Sequence, residues 1–310
     1  MRAVRVSGYG GPEVLEVEEV PVPAVGPGQV LLKVIAGGIN PLDAWFRSGH
    51  LAPRFPRPLP YTPGADVVGT LVERGEGVDA FQEGETLMGV LPVLDDGAYA
   101  EYVLAEAARL IALPPGLDPV LAAAVMTPGI TGLQIVEKAL SLDGGHRLLV
   151  LGALGGVGRV AVAAALEGGA EITAAVRPGR EDAVRALGVE RVVTTGDPAG
   201  SAKVKGAIDV VLDLVGPDAV EEWEDAIVPN GTVISVVPLP PARFQRKDVT
   251  TIHFAFKPDP QSLATIAAMA RDGKFTMPRI EVLGLDETGK AHALLPGNAG
   301  GRKFVVDPAR

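Results

Sequence analysis

Cysteine is absent from the 310 residues, and its absence removes several chemistries at once. No disulfide, thiolate nucleophile or Cys-ligated metal can be built. Only four histidines occur, His50, His146, His253 and His292, and no two of them stand at metal-ligand spacing. No run reaches about 18 apolar residues, the length a membrane span needs, so no membrane partner is expected. The N-terminus, MRAVRVSGYGG, starts directly with strand-like alternation. It has neither an apolar signal core nor a small-residue cleavage site, and a cytoplasmic location is the expectation. A net charge of −10 and the lack of a basic stripe disfavour nucleic acid as a partner, while leaving room for a local basic pocket.

What remains is an ordinary globular composition, 47% hydrophobic and 21% charged, in a chain long enough for two domains. Residues 1–115 read as β-rich: short alternating runs at 14–22, 29–39, 66–75 and 99–105 are broken by Gly and Pro turns. From Asp118 the pattern changes. DPVLAAAVMTPGITGLQIVEKAL (118–140) has helical periodicity, with Asp118 as N-cap and Pro119 at the first helical position, and Pro128-Gly129 is expected to interrupt it. An alternation follows, with strands at 147–151, 171–176, 191–194, 208–216 and 231–237 and helices at 156–168, 180–187 and 219–227 between them. Apolar strands separated by amphipathic helices predict a parallel sheet covered on both faces. Helices at 260–273 and 287–295 and a strand at 302–307 complete the chain.

Gly152 to Gly158 stand between an apolar strand and a helix of small residues, GRVAVAAALEGG. Glycines there allow a tight turn and close approach of backbone to a pyrophosphate, which the free N–H groups of the helix start would hold. Ala153 stands where the first glycine of the commonest spacing would be. The stretch Ala153, Leu154, Gly155, Gly156, Val157 and Gly158 is therefore a dinucleotide-binding turn. Such sites usually place an acid at the end of the second strand, to accept hydrogen bonds from the adenosine ribose. Here AVRPGR (175–180) puts Arg177 there, 19 residues after Gly158, with Arg180 three further on. A guanidinium accepts no hydrogen bond but pairs with a 2′-phosphate, so NADPH is favoured over NADH.

Several stretches, in order along almost the whole chain, resemble one family. They are MRAVRVSGYGGPEVLEV, GGINPLDAWFRSG (37–49), LPYTPGADVVG (59–69), GAYAEYVLA (97–105), GALGGVG (152–158) and AHALLPGNAGGRKFVV (291–306). Together they resemble the zinc-free quinone oxidoreductase (zeta-crystallin-like) branch of the medium-chain dehydrogenase/reductases. The resemblance implies an α/β protein in two parts. A GroES-like β-barrel catalytic domain spans 1–117 and 275–310, a doubly wound Rossmann domain that binds NADPH spans 118–274, and the active site lies between them. Zinc-dependent relatives would have a Cys ligand near Asn40 and a His ligand at Ala65. Neither is present, so the implied reaction is hydride transfer to a quinone or an α,β-unsaturated carbonyl without a metal.

By the same resemblance, Asn40 matches the family Asn beside the nicotinamide, and Thr131 the Thr on the helix facing the cofactor. Val215 and Val237, at the ends of later Rossmann strands, complete the implied cofactor contacts. Tyr61 and His50 are the residues able to donate a proton, although a packed Tyr61 is the favoured reading. Asp43 and Arg47, spaced i, i+4, read as a structural ion pair. Family members often carry a Tyr after RSG where this chain has His50-Leu51. VVPLPPARF (236–244) replaces the usual Gly/Ser-rich loop. Two other readings stay open: an enoyl-thioester reductase of the same superfamily, or an NADPH-binding sensor with little turnover. A homodimer is expected through Rossmann edge strands, with GTVISVVPLPPARF and VTTIHFAFK (249–257) as candidate edges.

Overall fold

The computed structural model describes residues 1–142, 147–237, 246–295 and 301–310. The chain divides into two compact units, Met1–Thr127 with Pro258–Arg310, and Pro128–Lys257. Relative to the expected boundaries, the start of the long central helix and residues 258–274 thus group with unit 1.

Unit 1 opens with strands β1 (Arg2–Val6) and β2 (Leu15–Glu19), which pair antiparallel. Next come β3 (Gln29–Ile39), helix α1 (Pro41–Arg47), β4 (Asp66–Arg74), β5 (Thr86–Val90), β6 (Tyr102–Glu106) and β7 (Leu110–Ala112). Helix α2 (Pro119–Leu140) leads into unit 2. That unit contains β8 (Arg147–Leu151), α3 (Gly156–Glu167), β9 (Glu171–Val176), α4 (Glu181–Arg185), β10 (Arg191–Thr194), α5 (Pro198–Lys203), β11 (Ile208–Asp213), α6 (Pro217–Glu221), β12 (Ile227–Ser235) and β13 (Thr250–His253). The chain returns to unit 1 through α7 (Pro260–Arg271), β14 (Arg279–Leu283), α8 (Thr288–Leu294) and β15 (Arg302–Val306).

In unit 1 the strand order is β14-β15-β3-β4-β5-β7, with β6 on β3. The last strand of the chain pairs with the end of β3, Phe304 opposite Ile39 and Val306 opposite Gly37, so the C-terminus is built into the N-terminal unit. In unit 2 all strands are parallel, in the order β10-β9-β8-β11-β12-β13. Counted from β8 this is 3-2-1-4-5-6, the doubly wound Rossmann order, whose ligand crevice lies beyond the carboxyl ends of the first and fourth strands. Apolar clusters cover both faces of the sheet: Ile135, Val162 and Val184 pack on one side, Val204, Val220 and Trp223 on the other.

Two expectations change. The helix is not interrupted at Pro128, which lies inside a continuous α2. Proline removes one N–H from a helix ladder. One residue earlier the Asp66 carboxylate accepts from the Thr127 N–H at 3.3 Å and from its hydroxyl at 2.5 Å, which anchors this turn without replacing the lost ladder bond. By length and composition α2 could also cross a membrane, but 67% of its most apolar window is buried within the protein, as in a core helix. Finally, the strand read over 231–237 is no edge: β12 pairs with β11 on one side and β13 on the other. Among the described residues the edge strands are β10 and β13, and β13 lies inside the other candidate stretch. Residues 238–245, which hold most of the proline-rich loop, lie outside the described residues.

Candidate active site

Unit 2 builds its candidate site from backbone. Strand β8 ends at Leu151, and Gly152 turns the chain at φ +90°, a conformation that suits glycine. Gly155 stands before α3 in extended conformation, and no side chain caps the start of that helix. Gly158 is required by proximity: a Cβ there would lie 2.2 Å from the Gly152 carbonyl oxygen. Ala153, expected among the cofactor contacts, is fully buried in the core, main chain included, because its methyl packs among the apolar residues beneath the turn.

The neighbouring strand contributes Val215, whose Cγ2 would stand 2.9 Å from a Cβ added at Gly152. It is 56% exposed, an apolar side chain left open beside the turn. Asp213 fixes that loop: one carboxylate oxygen accepts from the Val215 and Gly216 N–H groups at 3.0 and 2.8 Å, the other from the Ser235 hydroxyl at 2.6 Å. The Ser235 oxygen in turn accepts from the Val237 N–H, so the ends of β11 and β12 are tied together. Thr131 is buried in unit 2's part of α2, beside Gly132, where an added Cβ would lie 2.7 Å from the Val157 carbonyl oxygen.

Arg177 and Arg180 flank an exposed turn after β9, closed by Gly179 at φ +78°. The acids nearby are otherwise engaged. Asp182 pairs with Arg185 at 2.9 Å, and Glu181 accepts from the Thr194 hydroxyl at 3.2 Å. Local backbone N–H groups hold the Glu181 carboxyl below its ordinary range. Neither Arg177 nor Arg180 has a carboxylate partner among the described residues.

Unit 1 builds its candidate site from buried side chains. Asn40 follows β3 at the N-cap of α1, with its amide clamped from both sides. The Lys303 ammonium, from β15, donates to Asn40 Oδ1 at 2.6 Å and to the Ile39 carbonyl at 2.8 Å. Asn40 Nδ2 donates to Asp66 Oδ2 at 2.8 Å, and the Asn40 backbone N–H to Asp43 Oδ2 at 2.7 Å. The Tyr99 hydroxyl donates to the same Asp43 oxygen at 3.1 Å, and His292 Nε2 approaches that hydroxyl at 3.4 Å. All of these residues are buried.

Burial sets the protonation of the cluster. It pushes the Asp43 carboxyl up to about 6 against the opposing Asn40 N–H, and raises Asp66 despite the Lys303 ammonium beside it. It lowers Lys303, whose charge both acids support, and with Arg47 it pushes His292 down to about 3. Removing one member of such a buried charge set leaves the others uncompensated, at a cost of about 3–5 kcal/mol.

Other candidates fall differently. Asp43 and Arg47 make no ion pair. The carboxylate reaches back to cap the start of α1, while Nε and Nη1 of the buried Arg47 have no partner. Tyr61 packs with Val6 and Phe46 beneath the Arg57 guanidinium, 3.7 Å above its ring. Its hydroxyl is buried without a partner, and burial pushes the phenol up to about 12. His50 is exposed after α1. Sequence reasoning missed Asp66, Tyr99, His292 and Lys303. The available signal was a lysine within the apolar strand RKFVV and an aspartate opening the apolar strand DVVG.

Residues 26–115 match a family model described as the alcohol dehydrogenase GroES-like domain, and residues 187–306 one described as zinc-binding dehydrogenase. The quinone oxidoreductase of Lama guanicoe is 34% identical over 266 residues, which span 83% of this chain and 79% of that protein. Among solved structures, the quinone oxidoreductase of Coxiella burnetii gives a TM-score of 0.89 at 27% identity, over 99% of each chain. A mycobacterial protein solved in complex with NADPH gives 0.82 at 25% identity, over 99% of this chain and 100% of that one. The glycine turn, the strand order and the Asn40 segment thus sit in a chain that belongs to the quinone oxidoreductase family of the medium-chain dehydrogenase/reductases.

Proposed function

We propose that the protein reduces quinones or α,β-unsaturated carbonyl compounds with NADPH, without zinc. One observation carries the cofactor part: a backbone-lined turn at Gly152–Gly158 is accompanied by Arg177 and Arg180, free of carboxylate partners, where an NAD site would keep an acid. The uncapped start of α3 holds the pyrophosphate, and the two guanidiniums take the 2′-phosphate. Val215, with Thr131 and Val237, lines the same cofactor site. The nicotinamide, when bound, supplies the hydride. Asn40 contributes a hydrogen bond to the reacting oxygen.

The zinc-free part rests on the donors available. Among the described residues no three His, Cys, Asp or Glu side chains gather to hold a metal ion. Ala65 offers only a methyl group, and Asn40 Oδ1 already accepts from the Lys303 ammonium. A cation placed there would meet a like charge. The exposed edge of β13 supports a homodimer formed by strand pairing.

The test is a fluorescence titration with NADPH and NADH, followed by turnover on a panel of quinones and enones. NADPH should bind at least about tenfold more tightly, about 1.4 kcal/mol, and at least one panel member should oxidise it. Equal affinities would remove the role given to the arginines. Tight binding without turnover would contradict the enzymatic reading.

A further inference from the structure

We propose that Lys303 is a positioning residue that makes Asn40 an oxyanion donor. Its buried ammonium fixes and polarises the Asn40 amide, whose remaining Nδ2–H then stabilises the oxygen that becomes anionic during reduction. The inference rests on the proposed reductase reading and assigns the group that does a Lewis acid's work there.

The geometry settles which way the amide faces. An ammonium only donates, so the Asn40 atom 2.6 Å from Lys303 Nζ is the carbonyl oxygen. The Asp66 carboxylate only accepts while ionised, so the atom 2.8 Å from it is the amide nitrogen. A flipped amide would set N–H against ammonium and C=O against carboxylate. Asn40 can therefore serve a ligand as a donor only, through the one N–H that Asp66 leaves over. Hydrogen bonds in series polarise one another, most strongly at low dielectric. A full positive charge on Oδ1 draws density from the amide nitrogen and strengthens that remaining donor. Lys303 is itself held on both sides: the Ile39 carbonyl accepts a second N–H at 2.8 Å, and Asp66 and Asp43 face its charge.

When the conjugated acceptor takes hydride at its electrophilic carbon, an electron pair moves through the π system onto the carbonyl oxygen. The acceptor is reduced, the nicotinamide is oxidised, and water then supplies the proton to the oxyanion. The donor is preorganised for the charge that develops. Removing one comparable donor elsewhere costs about 10²–10³-fold in kcat.

Two variants separate charge from position. Lys303→Gln keeps an N–H for Asn40 Oδ1 and removes the charge, whereas Lys303→Met removes both. We expect kcat to fall at least tenfold in the first and at least a hundredfold in the second, with NADPH affinity unchanged within twofold. An independent readout is calorimetric binding of 4-nitrophenolate, an oxyanion probe, to the NADP⁺-loaded protein. It should weaken at least tenfold in Lys303→Gln, while its neutral counterpart 4-nitroanisole binds as before. Wild-type kcat and phenolate affinity in a folded Lys303→Gln protein would overturn the proposal. Should both variants fail to fold, the wild type decides: phenolate must bind at least tenfold more tightly than the anisole, and equal binding overturns the relay. Absence of any NADPH turnover by the wild type would instead overturn the reductase reading, and the relay with it.

Discussion

Unit 2 draws its site from one short stretch of backbone and a turn 19 residues further on. Unit 1 draws its site from side chains as far as 263 residues apart, buried and hydrogen-bonded to one another. The first kind of site depends on what is small: glycines that keep a helix start open and a turn tight. The second depends on partners, since each buried polar atom is tolerable only while its neighbour is present. The two should therefore respond differently to substitution and to pH.

The largest effect belongs to unit 1. Asp66→Ala strips one partner from Lys303, Asn40 and Thr127 together, and urea unfolding should show a loss of about 3–5 kcal/mol. A loss below about 1 kcal/mol would mean that the cluster is not a coupled set. Next comes overpacking of the turn in unit 2. Gly158→Val should cost about 1–3 kcal/mol of stability and reduce NADPH binding beyond detection in a fluorescence titration. Binding that survives would show that the turn is not the cradle. Smaller still is Arg177→Ala, which should raise the NADPH dissociation constant about tenfold, about 1.4 kcal/mol, and leave that for NADH unchanged.

A separate contrast is the pH dependence of unit 1, where two groups act in opposite directions. Burial raises the Asp43 carboxyl from 3.8 to about 6, so the folded state holds that proton more tightly than the unfolded chain. Its contribution is complete below the ordinary carboxylate range and is lost as pH rises through 6. His292 is lowered from 6.5 to about 3, so its contribution is complete above the ordinary histidine range and is lost as pH falls through 3. Relative to Asp43→Asn, the wild type should lose stability as pH rises from 4 to 6. Relative to His292→Gln, it should lose stability as pH falls from 6.5 to 3. Thermal melts of the three proteins across pH 3–7 check both signs, and parallel curves would contradict them.

The same contrast explains what the sequence disclosed. Gly152–Gly158 and Arg177 are legible because a strand, a turn and a helix start are contiguous, and contiguous patterns carry their own geometry. The parallel order of unit 2 follows from alternation of strand and helix. Lys303 is not legible in that way: nothing local in RKFVV says that its ammonium reaches the carbonyl ending β3, because that contact forms only when β15 pairs with β3. Asp43 misled for a related reason. Spacing placed Arg47 within reach, but the nearer Asn40 N–H at the helix start took the carboxylate. Pro128 reads as a helix break from the sequence, whereas α2 runs through it with Met126 and Ile130 fully buried on either side.

The most direct test of this division of labour is one pre-steady-state experiment on Asn40→Ala and Arg177→Ala beside the wild type. It follows NADPH binding by fluorescence and its oxidation by a turned-over quinone in single turnover. Asn40→Ala should slow the oxidation step at least a hundredfold with NADPH affinity unchanged, and Arg177→Ala should weaken NADPH binding about tenfold with the oxidation step unchanged. An Asn40→Ala protein that oxidises bound NADPH at the wild-type rate, or an Arg177→Ala protein that binds it as tightly as the wild type, would contradict the account.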